Sequence, residues 1–76
     1  MSKAMEKFAF KNAREISGLS QERLAALLGV SKPTIIKRER HPERMTVKEM
    51  REWYMAMNDE GKNILDEYAD SFFAID

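Results

Sequence analysis

The sequence has no cysteine, which excludes disulfides and thiolate metal sites and leaves the fold to rest on packing alone. No stretch approaches the roughly 20 apolar residues of a membrane helix. The first residues, Met1-Ser2-Lys3-Ala4-Met5-Glu6-Lys7, lack the apolar centre of a secretion signal. No membrane association is therefore expected, and a reducing cytosol suits the chain. Histidine occurs once, as His41 before Pro42, with no second ligand or nucleophile partner in view. Metal sites need convergent His, Cys or carboxylates, so no metal, no cofactor, no small-molecule substrate and no catalytic residue is expected. The chain reads as a non-enzyme.

Net charge is also lacking: 13 Lys and Arg balance 13 Asp and Glu. The distribution is uneven, however. Residues 1–45 hold ten Lys or Arg against five Glu, and residues 46–76 hold three against eight acids. One half could meet phosphates and the other could not. At 76 residues the chain fits one domain, 1–76. A domain this small buries only about 60% of its unfolded surface, so a homodimer is a live expectation.

What is present is helical punctuation. Phe8, Ala9, Ala13 and Ile16 recur at helical spacing and predict a first helix from about Met5 to Ile16, stopped by Ser17-Gly18. Ser20 is an N-cap candidate for a second helix whose buried stripe would be Leu24, Ala25, Leu27 and Leu28. Gly29 ends it, because glycine takes the left-handed conformation cheaply. Ser31 caps a third helix, Lys32 to about Arg40, with Pro33 in the first turn where a missing N–H costs nothing. His41-Pro42 closes it. Thr46-Val47-Lys48-Glu49 is a capping box opening a fourth helix with Val47, Met50, Tyr54 and Met57 on one face and Trp53 beside them. Asn58 or Asp59 caps a C-terminal helix of about 59–74, in which Gly61 should weaken the first turn by about 1 kcal/mol. No strand pattern or repeat appears. The expected fold is all-α, a compact bundle of about five short helices.

The segment Leu19 to Glu39, LSQERLAALLGVSKPTIIKRE, carries the functional information. Two short helices joined through one glycine and one apolar residue must cross steeply, in a helix-turn-helix with its core at 20–40. Ala25 lets the two backbones approach, while Leu24, Leu28, Val30 and Ile35 lock the pair. SQERLAALLGVSKPTI resembles the Cro and lambda-repressor type of helix-turn-helix, the xenobiotic-response-element family. Every named position of that family's pattern is matched: Ser20, Gln21, Leu24, Ala25, Leu28, Gly29, Val30, Ser31, Thr34 and Ile35. The resemblance covers roughly residues 5–57.

It implies a lambda-repressor-like fold and a sequence-specific, DNA-binding transcriptional regulator whose partner is a double-stranded operator. Gln21 would contact a backbone phosphate. Lys32, Pro33 and Thr34 would face base edges in the major groove, with Lys37 one turn on. Ser31, Arg40, Arg44 and Arg14 would hold phosphates, adding affinity without sequence information. Lysine can donate to guanine O6 and N7, and a threonine methyl can pack on a thymine methyl. The implied location is the cytoplasm of a bacterium or a phage-infected host.

Some positions depart from the family's pattern. Pro33 cannot donate, Ile36 puts an apolar spot on the recognition surface, and Arg38 stands where a large apolar residue is usual. Either Arg38 packs its stem and reaches Glu39 or Glu43 with its head, or the third helix is turned slightly. These departures motivate a second reading, a phage-type antirepressor or modulator that binds another DNA-binding protein, such as a repressor. Ile36, Arg38, Phe72 and Phe73 would then form a protein interface. The acids Asp59, Glu60, Asp66, Glu67 and Asp70 are expected on a solvated face or against a basic partner.

Overall fold

The computed structural model describes residues 8–73, with side chains as far as Ala69. Among the described residues the fold is all-α: α1 (Ala9–Ile16), α2 (Gln21–Leu28), α3 (Lys32–Arg40), a 3-10 turn (Pro42–Arg44), α4 (Val47–Ala56) and α5 (Asp59–Phe73). The five helices and the α2–α3 helix-turn-helix agree with the pattern of caps in the sequence. The first helix starts at Ala9 with Phe8 at its N-cap; residues 5–7 of the expected helix lie outside the described residues.

The caps form as their residue types dictate. Ser20 Oγ accepts from Arg23 N at 3.0 Å, and Ser31 Oγ accepts from Thr34 N at 3.4 Å. Thr46 and Glu49 close a full capping box, with Glu49 N donating to Thr46 Oγ1 at 3.1 Å and Thr46 N donating to Glu49 Oε1 at 2.9 Å. Gly29 ends α2 at φ +70°, where a Cβ would collide with the carbonyl.

The core is centred on Trp53, Leu24, Ile35 and Ala13, each with no exposed surface. Trp53 Nε1 donates to the Phe10 carbonyl at 3.2 Å, and the Phe10 ring meets Trp53 and Tyr68 edge-on at 5.7 and 5.2 Å. Both contacts are favourable aromatic geometries. Trp53, expected beside the buried face of its helix, is thus the centre of the core.

Three helices bury most of the face expected and leave its margin out: Ala9, Ala13, Leu24, Ala25 and Met57 are buried as expected, and Leu28, Met50 and Tyr54 pack against the core. In α1 the buried set is Ala9, Phe10, Ala13 and Arg14, while Phe8 and Ile16 are exposed. In α2 Leu27 is exposed and Leu24 and Ala25 are buried. In α4 Val47 is exposed and Trp53 is buried. In each case an arc of apolar residues wider than the contact was available, and packing on neighbours chose its phase.

Gly61 has a role beside the one expected. It is buried in the first turn of α5, where that helix crosses α1, and an added Cβ would press on Ser17 Oγ and lie 2.8 Å from the Ala13 carbonyl. The junction is completed by Asn58, whose Oδ1 accepts from Gly61 N at 2.8 Å and whose N donates to Ser17 Oγ at 3.1 Å. Glycine here allows the helix contact, alongside its cost of about 1 kcal/mol in helix propensity.

Candidate nucleic-acid interface

The orientation of α3 is set from inside. Arg14 of α1 and Glu39 of α3 form a buried ion pair through Nε and Oε2. The remaining edges are used as well: Arg14 Nη1 donates to the Leu19 carbonyl at 2.6 Å, and Gln21 Nε2 donates to Glu39 Oε1 at 3.0 Å. A buried charge pair is tolerable only when its other hydrogen-bonding positions are filled in this way. The cluster joins α1, the α1–α2 loop, the start of α2 and the end of α3. Arg14, expected to hold a DNA phosphate, is therefore buried and committed to Glu39. The missed signal was the phase of α1, which puts Arg14 on the buried face beside Ala13.

With Ile35 and Glu39 inward, the outward face of α3 is Pro33, Ile36, Lys37 and Arg40 at helical spacing. Pro33, Lys37 and Arg40 are exposed and Ile36 is half-buried, against the expectation that it stands fully out. Lys37 and Arg40 make no ion pair among the described residues. Lys32 is exposed, but its Nζ lies 3.1 Å from Glu22 Oε2. Thr34 is half-buried and shares a hydroxyl hydrogen bond of 2.9 Å with Ser31. Gln21, assigned by resemblance to a phosphate, turns its amide nitrogen inward to Glu39. Arg44 is exposed in the 3-10 turn.

Basic residues flank α3 on two sides. One cavity, lined by Phe8, Lys11, Gln21, Ile36, Glu39 and Arg40, opens between α1 and α3. The other is lined by Thr34, Lys37, Arg38, His41, Arg44, Met45 and Glu49 between α3 and α4. Lys11 was not singled out in the sequence, because nothing local ties it to α3. A helix carrying cations on both sides matches a groove whose two walls are phosphate strands.

Arg38 turns inward rather than out, and its partner is neither Glu39 nor Glu43. Its Nη2 donates to Glu49 Oε2 at 3.2 Å, while Nη1 is buried with no hydrogen bond among the described residues. Glu43 instead lies 3.4 Å from His41 Nδ1.

Two carboxyls on this side are shifted. Glu22 is held below its ordinary value by its own backbone N–H in the first turn of α2, and further by Lys32. Glu43 is lowered likewise by its own backbone N–H, and by His41. On the opposite face Tyr54 is raised, first by a hydrogen bond to Asp66 and then by burial and the nearby Asp59. Asp59, Glu60, Asp66 and Glu67 are exposed there. The side chains of Asp70, Phe72 and Phe73 lie outside the described residues.

No group of His, Cys, Asp or Glu among the described residues could hold a metal ion, and no described helix is long and apolar enough to cross a membrane. A rigid helix pair, an exposed basic second helix and an internally fixed angle define a helix-turn-helix domain of the DNA-binding kind. The chain belongs to the antitoxin Xre-like helix-turn-helix domain family, whose model matches residues 2–49, ending early in α4. That family is typical of DNA-binding regulators and antitoxins and is generally non-enzymatic. Comparison with curated proteins and with solved structures gives no match.

Proposed function

We propose that this chain is a sequence-specific DNA-binding transcriptional regulator that lays α3 in the major groove of an operator, in the cytosol of a bacterium or phage-infected host. The observation that carries the reading is the outward face of α3, where Lys37 and Arg40 stand unpaired beside Pro33 and Ile36, on a helix anchored by Arg14–Glu39. Lys37 reads a base or holds a phosphate. Pro33 and Thr34 make apolar contact with a thymine methyl. Gln21, Ser31, Arg40 and Arg44 meet phosphates, and Lys32 joins them when it leaves Glu22. The test is an anisotropy titration on the DNA preceding the chain's own gene, at two salt concentrations. Tight binding that weakens steeply with salt supports the reading; binding equal to that of unrelated duplex overturns it.

A second reading is favoured by one observation. A groove of about 260 Å³ between α4 and α5, lined by Phe10, Val47, Met50, Arg51, Tyr54, Leu65, Tyr68 and Ala69, is mostly apolar, and its Val47 is exposed. Such a surface suits a protein partner: a repressor, a toxin of the kind the family's name implies, or a second copy of the chain. Ile36, Arg38, Phe72 and Phe73 belong to this reading. Loss of regulation in Val47→Asp with DNA binding intact would favour it.

A further inference from the structure

The cavity between α3 and α4 has more positive charge than its fold requires. Lys37, Arg38 and Arg44 line it against one carboxylate, Glu49, together with His41, which lies beside Glu43, and Thr34 adds a hydroxyl. Its volume, about 230 Å³, is ample for a tetrahedral oxyanion. Arg38 is incompletely satisfied: one amino group pairs with Glu49 and the other is buried without a partner among the described residues. A buried guanidinium donor left unmade is costly, and a phosphate oxygen is the acceptor that suits it best.

We propose that this cavity is a phosphate site in which Glu49 holds Arg38 in the free protein and a phosphate takes its place in the bound one. The geometry allows the exchange at little cost to the fold. Glu49 keeps its other oxygen on Thr46 N, 2.9 Å away, so α4 stays capped after Arg38 leaves. The phosphate then sits among Arg38, Lys37, Arg44 and the Thr34 hydroxyl. Glu49, left unpaired nearby, repels it. The ion pair is thus a built-in brake on affinity, released only by a phosphate in this position. The inference rests on the DNA-binding reading where the phosphate belongs to a duplex backbone, and stands apart from it where the phosphate is free in solution.

The test compares wild type, Arg38→Met and Glu49→Gln. Glutamine at this position preserves the capping box. Binding to the operator duplex is followed over a salt series, and thermal melts without DNA are run in inorganic phosphate against chloride at equal ionic strength. For a backbone phosphate, Arg38→Met lowers the slope of log affinity against log salt by about one, while Glu49→Gln binds three- to tenfold tighter. A wild-type slope in Arg38→Met, or unchanged or weaker binding by Glu49→Gln, overturns the exchange while leaving the DNA reading intact. If Arg38→Met does not fold, Arg38→Gln supplies the slope. If wild type binds no duplex yet inorganic phosphate raises its melting temperature, and Arg38→Met removes that rise, the DNA reading fails and the site takes free phosphate. If neither duplex nor phosphate acts on wild type, both fall.

Discussion

Arg14 and Glu39 lie 25 residues apart in sequence and form the buried ion pair that joins α1 to α3. Each also holds a further partner, Leu19 for Arg14 and Gln21 for Glu39. Removing one member leaves the other charged and buried. Glu39→Ala should therefore cost about 3–5 kcal/mol, a large share of the roughly 5–15 kcal/mol a small domain has. Urea unfolding measures the loss. The double substitution Arg14→Met with Glu39→Met should cost much less than the two single substitutions added together, because it removes both charges; a double loss equal to that sum would show that the pair is not coupled.

Gly61→Ala separates two opposed effects. Helix propensity alone favours alanine by about 1 kcal/mol. The added Cβ would press on Ser17 and the Ala13 carbonyl where α5 crosses α1, and such overpacking costs about 1–3 kcal/mol. The backbone carbonyl cannot swing aside as a flexible side chain could, so net destabilisation is expected. A melting temperature above wild type would contradict the close crossing.

The cations of α3 should not contribute equally. Lys37 makes no ion pair among the described residues, whereas Lys32 must first give up Glu22. Lys37→Ala should weaken operator binding about tenfold, in the range of one good base contact, and Lys32→Ala less. Glu22→Gln should tighten binding by releasing Lys32. Helicity by circular dichroism should stay constant across the three, so that affinity reports contacts alone.

Glu22 also sets a pH dependence. Its folded pKa is lowered from 4.5, so the associated stability is present above the unfolded value and is lost as pH falls through the folded one. An NMR titration should place its midpoint below 4.5. Lys32→Ala should recover only part of the shift, because the larger cause is the residue's own backbone N–H at the start of α2. Full recovery would assign the effect to the ion pair instead.

Tyr54 titrates in the opposite sense. Asp66 and Asp59 face it and raise its pKa above 10.0. The stabilisation is complete below the unfolded value and disappears as pH rises through the folded one. Asp66→Asn should bring the phenol's absorbance titration back down, since the Asp66 hydrogen bond is the largest cause.

The sequence by itself determined where helices begin and end. Ser20, Ser31, Thr46, Asn58, Gly29 and Pro33 act within one turn of their own position, so their effect is legible locally. The pattern around SQERLAALLGVSKPTI also specified the helix-turn-helix, because its spacing allows only a steep crossing. Tertiary structure decided which residues of each apolar arc are buried. Phe10 rather than Phe8 and Ile16, and Trp53 rather than Val47, entered the core because they meet each other across 43 residues. The fate of each charge was decided there as well. Arg14, Arg38 and Lys32 look alike in sequence, yet one is buried on Glu39, one turns to Glu49 and one stands exposed on Glu22. Each pairing depends on a neighbour brought in by packing, and helical periodicity does not encode that neighbour.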